Sequence, residues 1–557
     1  MAEWQILPEL FVRARLGITS RNDRSDVYKS AKHTDFDGYS EENYNRKGTY
    51  KYGTGESFSY EADFTMNYTK TFAEKHQLYV GASYSVAEEK SEEYSVLAEG
   101  ISNVNMDFLG MANKYEKDGR PYGAESKSRR LGGIMNVNYT YDRRYFVDLS
   151  AKMEGSSKFG KDNRTAPFWS VGAGWNLHNE AFMAKKKVLN VARLRVSYGT
   201  SGSQSFDSYQ AMTTFRDYEG INYKGWYGSY LVAMGNRDLG WQKTNQLDVG
   251  AELEFFNGRI RFSADVYNKV TNDLLSDITL PSSSGFGSYK ANVGKVVNNG
   301  VELGLNMYLI RDTHRDMMWI VGGTFAHNKN EIKKISNSLK TLNDQMSSQD
   351  GGNPSFMLKE GQSMNTIFAV KSKGIDPSNG KEIYVKLDGT ETYTWDPKDK
   401  VACGVEEPKY WGNLNTMFRY KGITLNAIFA YRCGGQMYNY TLINKVENIL
   451  PFDNADKRVL YDRWKEPGDK VFFKGVKDFT STNATSRFVM DENTLECRSL
   501  SLGYDCDADW LKKSLGISYL TITGYMEDVF RVSSVKQERG LSYPFSRKFS
   551  VSLMVKF

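Results

Sequence analysis

The last eleven residues, Arg547-Lys-Phe-Ser-Val-Ser-Leu-Met-Val-Lys-Phe557, constrain the fold of this chain more than any other stretch. Successive side chains of an extended segment point to opposite faces. Phe549, Val551, Leu553, Val555 and Phe557 therefore share one face, while Lys548, Ser550, Ser552 and Lys556 share the other; Met554 is the exception. A tilted strand of roughly 9–11 residues crosses the hydrocarbon layer of a bilayer. Ending on an aromatic suits a strand that closes a transmembrane barrel and sets its last ring in the interfacial girdle. The competing reading is an amphipathic strand of a soluble sheet, and the rest of the chain weighs against it.

The same alternation recurs along the whole length. Leu10, Val12, Ala14, Leu16 and Ile18 alternate with Arg13, Arg15 and Thr19. Phe58, Tyr60, Ala62, Phe64, Met66 and Tyr68 alternate with serines, Glu61, Asp63, Thr65 and Asn67, with aromatics toward both ends. Leu247, Val249, Ala251, Leu253 and Phe255 alternate with Gln246, Asp248, Glu252 and Glu254. Carboxylates in such strands belong in a wet lumen, because charge facing lipid near the midplane is costly. Tight turns are expected near Thr71–Lys75, Asp142–Arg144, Phe256–Gly258 and Lys421, and long excursions near 89–129, 200–241, 271–297, 331–408, 433–493 and 528–546. Short and long connections thus alternate, as periplasmic turns and extracellular loops do. The stretch 331–408 holds either no wall strand or two (Ser363–Gly374 and one near Lys381–Leu387), so 16 or 18 strands are expected.

Composition agrees. A chain of 557 residues exceeds what one soluble core supports, yet only 11 prolines and no Pro/Ser-rich joint divide it. Mean hydropathy is −0.57, and no run of about 18 apolar residues makes a membrane helix. That does not exclude a barrel, whose strands hide every second residue from lipid. The net charge of +6 and the lack of a basic, aromatic-interleaved block argue against nucleic acid as a partner. Cys403, Cys433, Cys497 and Cys506 show no CxxC spacing, and their pairing is not legible. No signal peptide opens the chain, so a leader removed or a longer product is expected.

Motifs for chemistry fail on inspection. Gly155-Ser-Ser-Lys-Phe-Gly-Lys161 is followed by Asp162, where a phosphate loop needs a hydroxyl for magnesium. His33, His76, His178, His314 and His327 are scattered without metal-ligand spacing. Asp376-Pro-Ser-Asn-Gly380 lacks the alternating acidic ligands of a calcium loop. No catalytic residue, cofactor or metal is expected. Tyr223, Trp226, Tyr227 and Tyr230, with Tyr218 nearby, are candidate loop aromatics for cargo or partner contact; packing of the long loops is the plainer role for them.

An ordered series of segments resembles one family. Trp241-Gln-Lys-Thr-Asn-Gln246, Phe255-Phe-Asn-Gly-Arg259, Tyr267-Asn-Lys-Val-Thr-Asn-Asp-Leu-Leu275 and Leu280-Pro-Ser-Ser-Ser-Gly-Phe-Gly287 come first. Asn292-Val-Gly-Lys-Val-Val-Asn-Asn-Gly-Val-Glu-Leu303 and Leu500-Ser-Leu-Gly-Tyr504 follow. In this order they are similar to SusC/RagA-type TonB-dependent outer-membrane transporters, over nearly all of the chain from about residue 56. The resemblance implies that 1–557 is the C-terminal part of an all-β transmembrane barrel of about 22 strands. The plug, the TonB box and the first strands are then expected to come from upstream sequence or another chain. It also implies a SusD-like surface lipoprotein over the mouth, TonB acting through the plug, outer-membrane lipid around the wall, and a glycan or peptide cargo. Three functions stay open: the barrel wall of an importer, a scaffold subunit of an envelope assembly without import, and a passive porin.

Overall fold

The structure is a computed structural model that describes the chain except residues 103–104, 106, 117–118, 120, 184–187, 205, 280–285, 287, 293, 337–338, 341–342, 344–353, 355–356, 450–455, 476 and 537–545. Its main feature is one antiparallel sheet of eighteen strands. One of these, Lys114–Tyr115, is a two-residue segment on the end of His76–Glu99. The other seventeen form an up-and-down wall in which each strand pairs with the next wall strand in sequence.

All sixteen strands read from the alternation are present, and Ala2–Leu7 is added as a hairpin partner of Leu10–Lys29. Among the described residues, 336–409 supplies no wall strand. The strand-like stretch at 363–374 and its neighbour near 381–387 instead enter a separate four-stranded sheet made of Thr366–Ile375, Glu382–Val385, Glu391–Thr392 and Lys400–Val405.

Register makes the two faces explicit. Ala173, Val196, Val249, Val266 and Val301 lie opposite one another in one unbroken row across five strands. The adjacent row, one residue along, reads Gly174, Arg195, Gly250, Asp265 and Glu302. Val196, Val249 and Val266 are 44%, 50% and 54% exposed. A contiguous band of open aliphatic side chains is untenable in water and natural against lipid. On the charged face, Arg195 pairs with Asp265 and with Glu252. The ion pair lies over Gly250, where any Cβ would collide with both partners.

Turn chemistry sets the hairpins. Ala73 and Glu74 have φ of 45° and 61°, Asp142 and Arg143 50° and 57°, and Phe256 and Asn257 53° and 54°. Paired left-handed residues give the twist that two adjacent strands need. Lys421 and Gly422 do the same at the shortest turn, with φ of 48° and 80°.

These turns, with 8–9, 177–188, 313–316 and 507–518, all lie at the end of the sheet that carries Phe557. The opposite end carries 30–48, 100–121, 157–164, 204–241, 273–293, 336–409, 439–488 and 534–548. The expected alternation of short and long connections holds except at 157–164, which is shorter than 177–188 and 507–518 at the other end.

Candidate functional site

The long-connection end holds the candidate site, a mouth above the charged face. Its largest part is built from two excursions, 336–409 and 439–488, that fold into one unit. Ile367 and Ala369 of the small sheet pack with Leu442, Ile443 and Val446 of the second excursion, and with Phe473, Ala484 and Phe488. Burial of this apolar cluster fixes the excursions to each other and to Tyr438 at the top of the wall.

A buried charge cluster crosses the same seam. Arg487 donates to Glu382 Oε2 at 2.7 Å and to Glu447 Oε2 at 2.6 Å, with a further bond to Phe472 O at 2.7 Å. The three side chains are 3%, 7% and 0% exposed. Thr482 Oγ1 donates to Glu447 Oε1 at 2.6 Å, and the guanidinium lies 4.4 Å from the Phe488 ring centre. Burial works to lower the Arg487 pKa, but Glu447 and Glu382 outweigh it and hold the group above its ordinary value. Arg463, also buried, donates to Glu447 O at 3.0 Å and to Lys474 O at 3.2 Å. Burial pushes the Lys474 ammonium down, against the opposing pull of Asp478.

The unit is tied to the wall by amides. Asn328 Nδ2 donates to Asn298 Oδ1 at 3.1 Å and to Glu407 Oε1 at 3.0 Å. Asn330 Nδ2 donates to Asn298 Oδ1 at 2.8 Å, and Met364 N donates to Asn330 Oδ1 at 2.8 Å. Beside this ladder a cavity of about 510 Å³ opens, lined among others by Gln362, Ser363 and Gln436.

The candidate aromatics lie on a separate hairpin at the same end, Thr214–Tyr223 with Trp226–Ala233. Tyr223 and Trp226 face each other across its turn and are 74% and 79% exposed. Tyr230 packs lower down on Tyr218, with ring centres 5.0 Å apart. The Tyr227 side chain lies outside the described residues. The hairpin thus presents two open rings and one packed pair.

The terminal group Phe549, Val551, Leu553, Val555 and Phe557 shares one face of Phe549–Lys556. Val551, Leu553 and Val555 oppose Gly524, Ile522 and Leu520 on the neighbouring strand. Phe557 is 85% exposed.

The phosphate-loop look-alike is a strand end and its loop, with Phe159 buried 4.3 Å from the Trp241 ring centre. Asp376 is taken up within its own turn, accepting from Ser378 N at 2.8 Å and from the Tyr393 hydroxyl. All four cysteines are free thiols. Sequence reading missed the Glu382, Glu447 and Arg487 cluster; the one local signal is charge set directly beside apolar residues, as in Val446-Glu447 and Arg487-Phe488.

The wall has an apolar outside, a charged inside and its longest loops at one end, and the chain matches a known family model, TonB dependent receptor-like, beta-barrel, over residues 4–449. The chain belongs to that family. This receptor is 24% identical to TonB-dependent receptor P39 of Formosa agariphila over 94% of its own length and 53% of the relative's. It is 24% identical to TonB-dependent receptor SusC of Bacteroides thetaiotaomicron over 76% of its own length and 43% of SusC. The fold superposes on the RagAB peptide transporter with a TM-score of 0.82 at 23% identity, covering 96% of this chain and 57% of that one. The receptor spans about half the length of the relatives it matches. It is a TonB-dependent-receptor β-barrel, similar in sequence to part of SusC and in fold to part of the RagAB transporter.

Proposed function

We propose that this receptor forms the greater part of the wall and mouth of a TonB-dependent importer for oligosaccharides or oligopeptides, working with a SusD-like surface lipoprotein. Residues 1–557 are, in this reading, the C-terminal part of the barrel. The observation that carries it is the pairing of a charged inner face with a packed loop unit on one end only. The inner face offers ion pairs and amides to a plug and to passing cargo. The loop unit is rigid enough to seat a lid, since its apolar core and buried charges leave few alternative arrangements.

A seventeen-strand open sheet cannot face lipid at its two edges, Ala2–Leu7 and Phe549–Lys556. Further strands from the same or another polypeptide close it, and the plug that contacts TonB comes with them. Detergent extraction of the tagged receptor tests this: plug sequence and a surface lipoprotein copurify, and deletion abolishes uptake of one cargo class. Recovery without either, together with unchanged uptake and defective envelope assembly, identifies a scaffold instead.

A further inference from the structure

One connection at the turn end folds outward over the wall. Residues 177–188 join Thr165–Asn176 to Leu189–Ser203, where most connections at this end are tight turns. Glu180 of this loop is only 8% exposed, and three wall groups hold its carboxylate. The Tyr145 hydroxyl donates to Oε1 at 2.7 Å, Trp175 Nε1 donates to the same oxygen at 3.0 Å, and Arg144 Nη1 donates to Oε2 at 3.2 Å. Tyr145 and Trp175 pair across the ladder, two residues along from the pair Val147 and Ala173. Ala173 belongs to the outer aliphatic row, so both rings share the lipid-facing side. Glu180 is therefore clasped on the outside of the barrel, at the level of the interfacial aromatics.

The clasp fixes the path of the loop. Met183 is buried, whereas Phe182 is 61% exposed. At the far end of the loop the Val188 carbonyl accepts from Phe256 N at 2.8 Å, and both of those side chains are exposed. Asn176 and Asn179 each donate to Arg143 O, at 2.9 and 2.7 Å, which sets the 142–144 turn against the loop. Arg143 and Arg259 are exposed, and the neighbouring carboxylates Asp142 and Glu254 are already bound to Arg144 and Arg261. Glu74 of the adjoining turn is followed by Lys75, so that turn adds no net charge.

We propose that this loop is a foot in the inner leaflet of the outer membrane, with Phe182 among the upper acyl carbons and Arg143 and Arg259 against anionic phospholipid headgroups. The foot continues the lipid-facing side, because Glu180 ties it directly to Tyr145 and Trp175 of that side. A carboxylate there is costly unless it is fully paired, and Glu180 is. Open apolar side chains next to cations without a local carboxylate suit the boundary between acyl chains and headgroups. Anionic lipid attracts each such cation near the surface. The foot is independent of cargo, and it holds whether the wall serves an importer or a scaffold.

The test places Phe182→Cys in the receptor with its four native cysteines replaced by Ser, and labels it with a polarity-sensitive nitrobenzoxadiazole dye. The receptor is reconstituted with its copurifying partners into vesicles of phosphatidylcholine and phosphatidylglycerol. Headgroup-proximal spin-labelled lipid is expected to quench the dye strongly, and aqueous iodide to reach it at least threefold less than a dye on the tight turn at Glu74→Cys. Adding Glu180→Ala opens the clasp: lipid quenching falls at least twofold and iodide quenching rises, while heat-modifiable electrophoretic migration shows the wall still folded. Trp175→Phe removes a single donor and gives an intermediate value, which serves if Glu180→Ala does not fold. In vesicles of phosphatidylcholine alone the lipid quenching also falls at least twofold, and the Arg143→Gln, Arg259→Gln double variant loses that dependence. Iodide access at 182 equal to that at 74, no response to either clasp variant in a folded wall, or equal quenching in the two kinds of vesicle overturns the proposal.

Discussion

Arg487 meets Glu382 at 2.7 Å across 105 residues of chain, and the contact joins the two longest excursions of the receptor. Glu447 completes the cluster on the other side of the guanidinium. Removing the cation alone leaves two buried carboxylates without their guanidinium, which costs about 3–5 kcal/mol for a broken buried pair. Arg487→Met is therefore expected to loosen the mouth unit while the wall stays folded. Hydrogen exchange checks it: protection falls at 366–375 and 439–447 but not at 247–254. Replacing Glu382 and Glu447 by Gln in the same variant restores part of the protection.

Acid should loosen a second part of the mouth. The Tyr393 hydroxyl and the Ser378 N–H hold the Asp376 carboxyl below its ordinary value of 3.8. A depressed carboxylate contributes stability that is present above its unfolded pKa and lost as pH falls through the folded one. Exchange in 376–393, taken relative to the intrinsic amide rate at each pH, is thus expected to be flat from neutrality to about pH 4 and to rise below it. Asp376→Asn flattens that rise, with faster exchange already at neutral pH.

Much of this architecture was legible because side-chain period two is a local signal. The strand around Leu247–Phe255 reads directly, and so does the terminal strand. The signal fades where the outer face leaves lipid. His76–Glu99 continues well past Val86, yet Glu88, Lys90 and Glu92 erase the apolar alternation while the backbone ladder runs on. Ala2–Leu7 is too short to show a rhythm before Pro8 ends it. The cluster of Glu382, Glu447 and Arg487 left only a charge beside an apolar neighbour in the sequence, since its partners are brought together by the interlocking of two distant excursions.

The lipid band makes an asymmetric prediction for neighbouring residues. Val249 lies in the outer aliphatic row and Asp248 on the charged face beside it. Val249→Arg is expected to destabilise the barrel by about 2–4 kcal/mol if it sits near the midplane depth. Asp248→Asn changes stability by less than about 0.5 kcal/mol, since Asp248 makes no direct ion pair among the described residues and reaches Arg195 only through its field. Denaturant unfolding in liposomes measures both.

Truncating the final aromatic tests the terminal strand. Phe557 follows an edge strand paired on one side only, to Tyr519–Ser533. Deleting Phe557 removes its ring from the girdle at the turn end, and the yield of folded receptor in the outer membrane is expected to fall severalfold. Substitution by Tyr or Trp retains the yield, since either ring suits the interface. Band shift on unheated gels quantifies it.

The account depends most on odd and even residues of each strand meeting different surroundings, and a cysteine scan of 246–253 measures that directly. With Cys403, Cys433, Cys497 and Cys506 replaced by Ser, single cysteines are placed along the strand in intact outer membranes. Positions 247, 249, 251 and 253 are expected to resist a water-soluble maleimide and to report a lipid-quenched fluorophore; 246, 248, 250 and 252 do the reverse. Labelling without a period of two, or water access at 249 and 251 equal to that at 248 and 250, contradicts the membrane wall on which the rest is built.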